Sequence, residues 1–120
     1  MILVDTSVWI EHFRRGHAEL VRLLDAGEAA THPMIAGELA CGQLLKRAST
    51  LHLFQALPHI ADAPDKVVLH ALEARRLYGS GIGWVDAHLL TSALVSNTPL
   101  WTLDARLDRL ARTAGIAHVL

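Results

Sequence analysis

The hydrophobic residues of this chain occur in short apolar runs and in longer stretches with helical spacing. A short run followed by an aspartate and a helical stretch occurs twice. Residues 2–4 are an apolar run that predicts a buried parallel strand, which ends at Asp5 before a polar-then-apolar helix start. Residues 100–103 form a second such run, which ends at Asp104 before a helix predicted over residues 105–113. Each predicted strand therefore carries a carboxylate to one edge of a sheet.

The segments between these strands alternate weaker strands with helices. Helical spacing of the apolar residues predicts helices over residues 17–26, 33–47, 50–56, 65–78 and 84–96. Short strands are predicted over residues 28–31, around Ile60 and over residues 116–120, and residues 79–83 are predicted to be a flexible loop. Strands that alternate with helices build a parallel sheet covered on both faces, so the pattern predicts an α/β fold.

Composition limits the classes of protein to consider. With 120 residues, 52% of them apolar and 19% charged, the chain is predicted to form a single domain over residues 1–120 that buries a core without disulfides. Cys41 is the only cysteine, which excludes an internal disulfide and favours a cytoplasmic location. No apolar run has membrane-spanning length, and Asp5 interrupts the first one, so we expect neither a membrane segment nor a signal peptide. The net charge of -1 indicates no partner by itself.

Four acidic residues lie where a fold of this kind places its ligand site. Asp5 and Asp104 end strands, and the ligand crevice of an open parallel sheet lies beyond the carboxyl ends of its strands. Asp86 lies in the first turn of a helix and Glu38 on another helix, both on faces expected to be buried. Each aspartate also has a structural alternative, because aspartate commonly caps a helix or stabilises its N-terminus.

A shared cation is the simplest partner for these acids. Glu38 has apolar and small neighbours on its helix face, where an ionised carboxylate without a partner is strongly disfavoured. Mg2+ and Mn2+ prefer oxygen ligands, lower the pKa of a bound water and stabilise charge on a phosphodiester under in-line attack. The acids therefore indicate metal-dependent hydrolysis without a covalent intermediate.

No other constellation in the chain offers a competing chemistry. There is no Ser-His-Asp or Cys-His arrangement, and residues 79–83 lack the lysine and hydroxyl of a phosphate-binding loop. None of the eight histidines has the paired spacing of a zinc site, and His88 is the best placed of them. Asp108, one helical turn after Asp104, is expected to be a solvated surface acid. The three tryptophans flank proposed site residues, where core packing is expected more often than base stacking.

The motifs resemble those of the PIN-domain ribonucleases, and especially the VapC toxins of bacterial toxin–antitoxin pairs. Four segments carry the resemblance in the same order: DTSVWI at residues 5–10, ELACG at 38–42, WVDA at 84–87 and WTLD at 101–104. Each segment alone is weak evidence for the resemblance. The four segments in this order, which span nearly the whole chain, are a specific signal. The resemblance implies a three-layer α/β/α sandwich with a mainly parallel sheet, Mg2+- or Mn2+-dependent cleavage of RNA, and a VapB-like antitoxin that blocks the site.

Matched position by position, the resemblance also implies roles for individual residues. The family's catalytic, metal-holding acids correspond to Asp5, Glu38, Asp86 and Asp104. Its supporting hydroxyls correspond to Thr6 and Thr102. His88 departs from the pattern, because an apolar residue is more usual two places after the third acid. Among the arginines, Arg106 and Arg109 are the best candidates for RNA phosphate contacts, because their helix starts at the site.

Two other classes of function stay open at this stage. One is a receiver-like signalling module that binds Mg2+, although no lysine follows a late strand as that class requires. The other is a catalytically inactive PIN-like binding protein, although loss of activity gives no reason to keep all four acids. Residues 21–24 and 39–45 are apolar candidates for the surface of a homodimer or of a toxin–antitoxin hetero-oligomer, and core packing explains them equally well.

Overall fold

A three-stranded parallel sheet lies at the centre of the computed structural model, which describes residues 1–120. Strand β1 (Ile2–Val4) is in the middle, with β2 (Ala29–Ala30) on one side and β3 (Leu100–Trp101) on the other. Leu3 pairs with Ala30 and with Leu100, so the register places the carboxyl ends of β1 and β3 side by side. Single parallel bridges at His59 and Ala117 extend the sheet by one position beyond each edge.

Seven helices cover the sheet. They are α1 (Thr6–Arg15), α2 (Ala18–Asp25), α3 (Pro33–Cys41), α4 (Arg47–Ala56), α5 (Asp65–Ala74), α6 (Trp84–Val95) and α7 (Ala105–Thr113). The chain moves outward from β1 through α1–α4, then returns across the sheet through α5 and α6 to β3. Right-handed crossovers therefore place α1–α4 on one face and α5–α7 on the other. The contacts of α1 with α3, α3 with α4, α5 with α6 and α6 with α7 agree with this arrangement, which confirms the α/β/α sandwich.

The helix predicted over residues 33–47 is wrong at its C-terminal end. Helix α3 stops at Cys41, and α4 begins at Arg47 after Lys46 adopts a left-handed conformation with φ of 51°. A positive charge nevertheless stabilises the C-terminal end of α3. The Arg47 guanidinium donates to the carbonyls of Ala40 at 2.5 Å and Gly42 at 3.0 Å, so it stabilises the end of α3 from outside that helix.

The predicted helix over residues 65–78 also ends early, and three predicted strands shrink. Helix α5 ends at Ala74, because Arg76 turns into a left-handed conformation and brings Leu77 back to the core. The strands expected around Ile60 and over residues 116–120 are each a single bridge. Strand β3 stops at Trp101 instead of Leu103, because the N–H groups of Leu103 and Asp104 bond to side chains rather than to a neighbouring strand.

The core positions the carboxyl end of β1 firmly. Leu3 and Val4 are fully buried, as are Val8 one turn into α1 and Leu100 on β3. The residue that follows Val4 therefore leaves the core at a fixed point, beside the end of β3. No helix of the structure has the length and apolar character needed to cross a membrane.

Candidate active site

Asp5 leaves β1 at this point and is held by two hydroxyl groups. Its carboxylate is buried, with 5% of the residue exposed, and its Oδ2 accepts hydrogen bonds from Thr102 at 2.7 Å and Ser7 at 2.8 Å. Its side chain accepts no hydrogen bond from a backbone N–H at the start of α1, so the interpretation of Asp5 as a side-chain cap is wrong. Both bonds use the same oxygen, which leaves Oδ1 free to bind a ligand.

Ser7 and Thr102 also tie the ends of β1 and β3 together. The Ser7 hydroxyl accepts from the Leu103 N–H at 2.9 Å and lies 3.2 Å from the Thr102 hydroxyl, which accepts from the Asp104 N–H at 3.0 Å. Sequence reasoning assigned a supporting role to Thr102 and missed Ser7. The available signal was its place two residues after a strand-ending aspartate, where a hydroxyl readily bonds to nearby groups.

Two further acids stand around Asp5 with partners of their own. Glu38 accepts a hydrogen bond from the Thr6 hydroxyl at 2.8 Å, so α1 and α3 meet at this pair. Glu38 is exposed, and the expectation that it is buried on an apolar face is wrong, because the apolar face of α3 is carried by Ile35 and Leu39. Asp104 is exposed and caps α7, with Oδ1 accepting the Leu107 N–H at 2.9 Å.

The electrostatics of Asp86 show that these carboxylates are neighbours. The pKa of Asp86 is raised from 3.8 to about 6, mainly by burial and then, in decreasing order, by the charges of Asp5, Asp104 and Glu38. Arg106 is the one charge that lowers this pKa, and its effect is the smallest of those named. Three carboxylates, which follow β1, lie on α3 and follow β3, therefore all act on Asp86 of α6 in the crevice beyond the carboxyl ends of the strands.

The donor set suits a divalent cation, although the carboxylates do not form a closed cage. No three His, Cys, Asp or Glu side chains stand close enough to make a ready-formed metal site. Mg2+ does not need one, because it keeps several waters and is bound by one or two carboxylates directly. The repulsion that raises the pKa of Asp86 is the kind that a shared cation relieves. The residues present therefore fit such an ion.

Replacing Asp86 with Asn is expected to stabilise the metal-free protein at neutral pH. The raised pKa means that the folded state binds the Asp86 proton more tightly than the unfolded chain, so ionisation costs stability above pH 6. Removing that charge should add about 2 kcal/mol to the free energy of unfolding at pH 7.5. The gain should shrink by more than half at pH 4.5, where the folded-state carboxyl is already protonated. Urea unfolding of the parent protein and of Asp86→Asn in EDTA, at pH 7.5 and at pH 4.5, measures this gain in stability. An equal gain at both pH values would contradict the prediction.

Arg106 is held at the edge of this crevice by the loop that precedes α6. Its Nη1 donates to the Gly81 carbonyl at 3.0 Å, and a Cβ at residue 81 would lie 2.9 Å from the guanidinium carbon. Gly81 also has φ of 88°, a left-handed conformation that favours glycine. Arg109 lies exposed one turn further along α7. Trp84, at the start of α6, is 43% exposed, whereas the other two tryptophans are buried in the core.

Two residues that sequence analysis left open have local partners. Asp108 accepts a hydrogen bond from Arg112 Nε at 2.7 Å, which makes it a surface ion pair on α7. His88 is buried, and its two ring nitrogens each lie 3.1 Å from a carboxylate oxygen, Nδ1 facing Asp62 and Nε2 facing Asp65. Sequence reasoning did not anticipate either of these carboxylates.

The protein has a parallel sheet, and four acids lie around the carboxyl end of its central strand. These two features place it in the class of α/β proteins that have a site suited to divalent cations. Comparison with known proteins narrows that class. A model of the family described as "PIN domain" matches residues 2–113. Ribonuclease VapC32 of Mycobacterium tuberculosis, in strains CDC 1551 / Oshkosh and ATCC 25618 / H37Rv, is 47% identical over 118 residues, which are 98% of this chain and 95% of that protein. The chain therefore belongs to the PIN-domain family and, within it, to the VapC ribonucleases. This membership removes the receiver-like alternative.

Proposed function

We propose that this protein is a metal-dependent endoribonuclease and the toxin of a type II toxin–antitoxin pair. The observation that carries the proposal is the grouping of the acids: the charges of Asp5, Asp104 and Glu38 all raise the pKa of Asp86, which requires them to lie near it. The matched relative, named a ribonuclease, covers nearly the whole chain, so its activity is a suitable hypothesis for this one.

The proposed cofactor is Mg2+ or Mn2+, held by Asp5, Glu38, Asp86 and Asp104. When bound, the ion activates a water molecule and stabilises negative charge on the phosphodiester oxygens. The supporting residues act on the acids rather than on RNA. Ser7 and Thr102 orient Asp5, and Thr6 orients Glu38.

The arginines of α7 are proposed to position the RNA. Arg106 stands beside the acids and is fixed by Gly81, so its guanidinium offers two or more N–H donors to a phosphate without first losing much freedom. Arg109 lies one turn away on the same helix. Both would contact the backbone of RNA and carry no base preference.

A VapB-like antitoxin is the proposed protein partner. A groove lined by Phe13, Leu44 and Leu45 adjoins Thr6 and Glu38, and Leu45 is 92% exposed. A protein segment bound in this groove would bury that apolar surface and cover one side of the acids. The proposal also includes a single PIN-like domain over residues 1–120 and a cytoplasmic location. The proposed assembly is a homodimer or a toxin–antitoxin hetero-oligomer.

Incubation of the purified chain with total cellular RNA tests the proposed activity. Cleavage is expected with Mg2+ or Mn2+ and is expected to stop when EDTA is added. Because water rather than the neighbouring 2′-hydroxyl is the nucleophile, the new ends should carry no 2′,3′-cyclic phosphate. Cleavage that persists in EDTA, or cyclic phosphate ends, would overturn the mechanism, and intact RNA in Mg2+ and in Mn2+ would favour an inactive binding protein.

A further inference from the structure

A polar bridge of two buried histidines and one exposed aspartate joins the helices that carry Glu38 and Asp86, and it plays no part in the proposed reaction. His32 is fully buried at the start of α3, and His88 is buried on α6 with 1% exposed. Asp62, in the connection between α4 and α5, places one oxygen between them. Its Oδ1 lies 3.0 Å from His32 Nε2 and 3.1 Å from His88 Nδ1.

The protons of His32 fix its orientation in this bridge. Its Nδ1 accepts the Met34 N–H at 3.1 Å and thereby caps α3, so the ring proton of the neutral histidine is on Nε2. Burial lowers the pKa of His32, which outweighs the opposing effect of Asp62 and keeps the ring neutral. The Nε2–H then faces Asp62 Oδ1 and the Ser92 hydroxyl, which lies 3.2 Å away.

Helix α6 is fixed to the same connection at two points one turn apart. His88 contacts Asp62, and Ser92 accepts the Ala63 N–H at 2.9 Å. Because α3 and α6 belong to opposite helical layers, this bridge joins the two layers where they meet beyond the sheet. Two buried imidazoles are costly to desolvate, and apolar residues would pack there without that cost.

The ends of the bridge lie at the start of α3 and on α6, which are the helices that carry Glu38 and Asp86. His32 begins the helix that carries Glu38, and His88 follows Asp86 by two residues. We propose that Asp62 is a positioning residue, which through His32 and His88 sets the separation of Glu38 from Asp86 for a shared divalent cation. The inference rests on the proposed function, because it assumes that these two acids hold the same ion.

Variants of Asp62 test this role through the Mg2+ requirement. Asp62→Ala removes the common acceptor, and the Mg2+ concentration for half-maximal RNA cleavage is expected to rise at least tenfold, while KM for RNA changes less than twofold. Asp62→Asn keeps an oxygen at the same place, so its Mg2+ requirement is expected to stay within threefold of the parent. A Mg2+ requirement that is unchanged in Asp62→Ala would overturn the inference.

A second variant separates positioning from loss of stability. Ile116 is a core residue whose backbone bonds to Leu100 and Ala111 rather than to either helix of the polar bridge, so Ile116→Ala should lower stability in urea without changing the Mg2+ requirement. An equal rise in that requirement in Ile116→Ala would make Asp62 merely structural and overturn the inference.

The Mg2+ dependence of the melting temperature keeps the inference testable without RNA cleavage. If the parent protein binds Mg2+ but cuts no RNA, the proposed function is wrong and the role of Asp62 can still be tested. The measurement for the same variants is then the Mg2+ concentration that gives half of the maximal rise in melting temperature. If the parent neither cuts RNA nor responds to Mg2+, both proposals fail.

Discussion

Replacing Asp5 with Asn should reduce RNA cleavage on the order of 10³-fold and leave the fold intact. The amide keeps an oxygen that can accept the hydroxyl hydrogen bonds of Ser7 and Thr102, so the ends of β1 and β3 stay tied. It removes the negative charge at the most buried of the four acids, where a cation has the least water to replace it. The initial rate of RNA cleavage at saturating Mg2+ measures the effect.

Asp25→Asn is the matched control for this experiment. It makes the same chemical change at an exposed residue at the end of α2. Helix α2 leads to the amino end of β2, so this residue lies at the end of the sheet opposite the four acids. The control should cleave RNA at the parent rate, and urea unfolding should show that both variants are folded. Undiminished cleavage by Asp5→Asn would mean that Asp5 is not part of the reaction.

Binding of Mg2+ should raise the melting temperature by about 5 °C when its concentration is ten times its dissociation constant. An ion that binds only the folded state at that concentration adds about 1.4 kcal/mol of stability, and a domain of this size gains about 4 °C per kcal/mol. The physical source is the relief of repulsion between the carboxylates that raise the pKa of Asp86.

The pH dependence of this shift distinguishes a site at the acids from a general effect of salt. Because the pKa of Asp86 is about 6, protons compete with the ion at pH 5.5, and the shift should be smaller there than at pH 7.5. Melting curves with MgCl2, with KCl at equal ionic strength and with EDTA make the comparison, and Asp86→Asn should lose most of the shift. A rise that KCl reproduces, or no rise at millimolar Mg2+, would show that the four acids do not hold the ion.

Sequence patterns predicted the fold best where one strong signal decides the structure. The run of residues 2–4 gave β1, and Asp104 followed by alternating apolar residues gave the bounds of α7. The helix predicted to Arg47 failed because apolar Leu44 and Leu45 continue its pattern after the backbone has turned at Gly42. Short edge strands were overestimated because pairing at an edge depends on tertiary contacts that composition does not contain.

For the candidate site, the sequence indicated which acids to consider and misjudged how they are held. Glu38 was expected to be buried, yet it is exposed and paired with Thr6, because helical neighbours do not reveal which face meets the core. Asp62 was missed because its histidine partners lie at least 26 residues away along the chain. Ser7 was missed because, besides the nearby Asp5, it bonds to Thr102 95 residues away. Family resemblance supplied the grouping of the acids, and only coordinates supplied the contacts around them.

The hydrogen bond between Asp5 and Thr102 spans 97 residues, and this separation has a consequence for synthesis. Strand β1 leaves the ribosome early, but its aspartate gains this partner only after β3 has emerged and docked beside it. A nascent chain shorter than about five-sixths of the protein cannot assemble the crevice. A ribosome making this chain is therefore protected from the product until translation is almost complete.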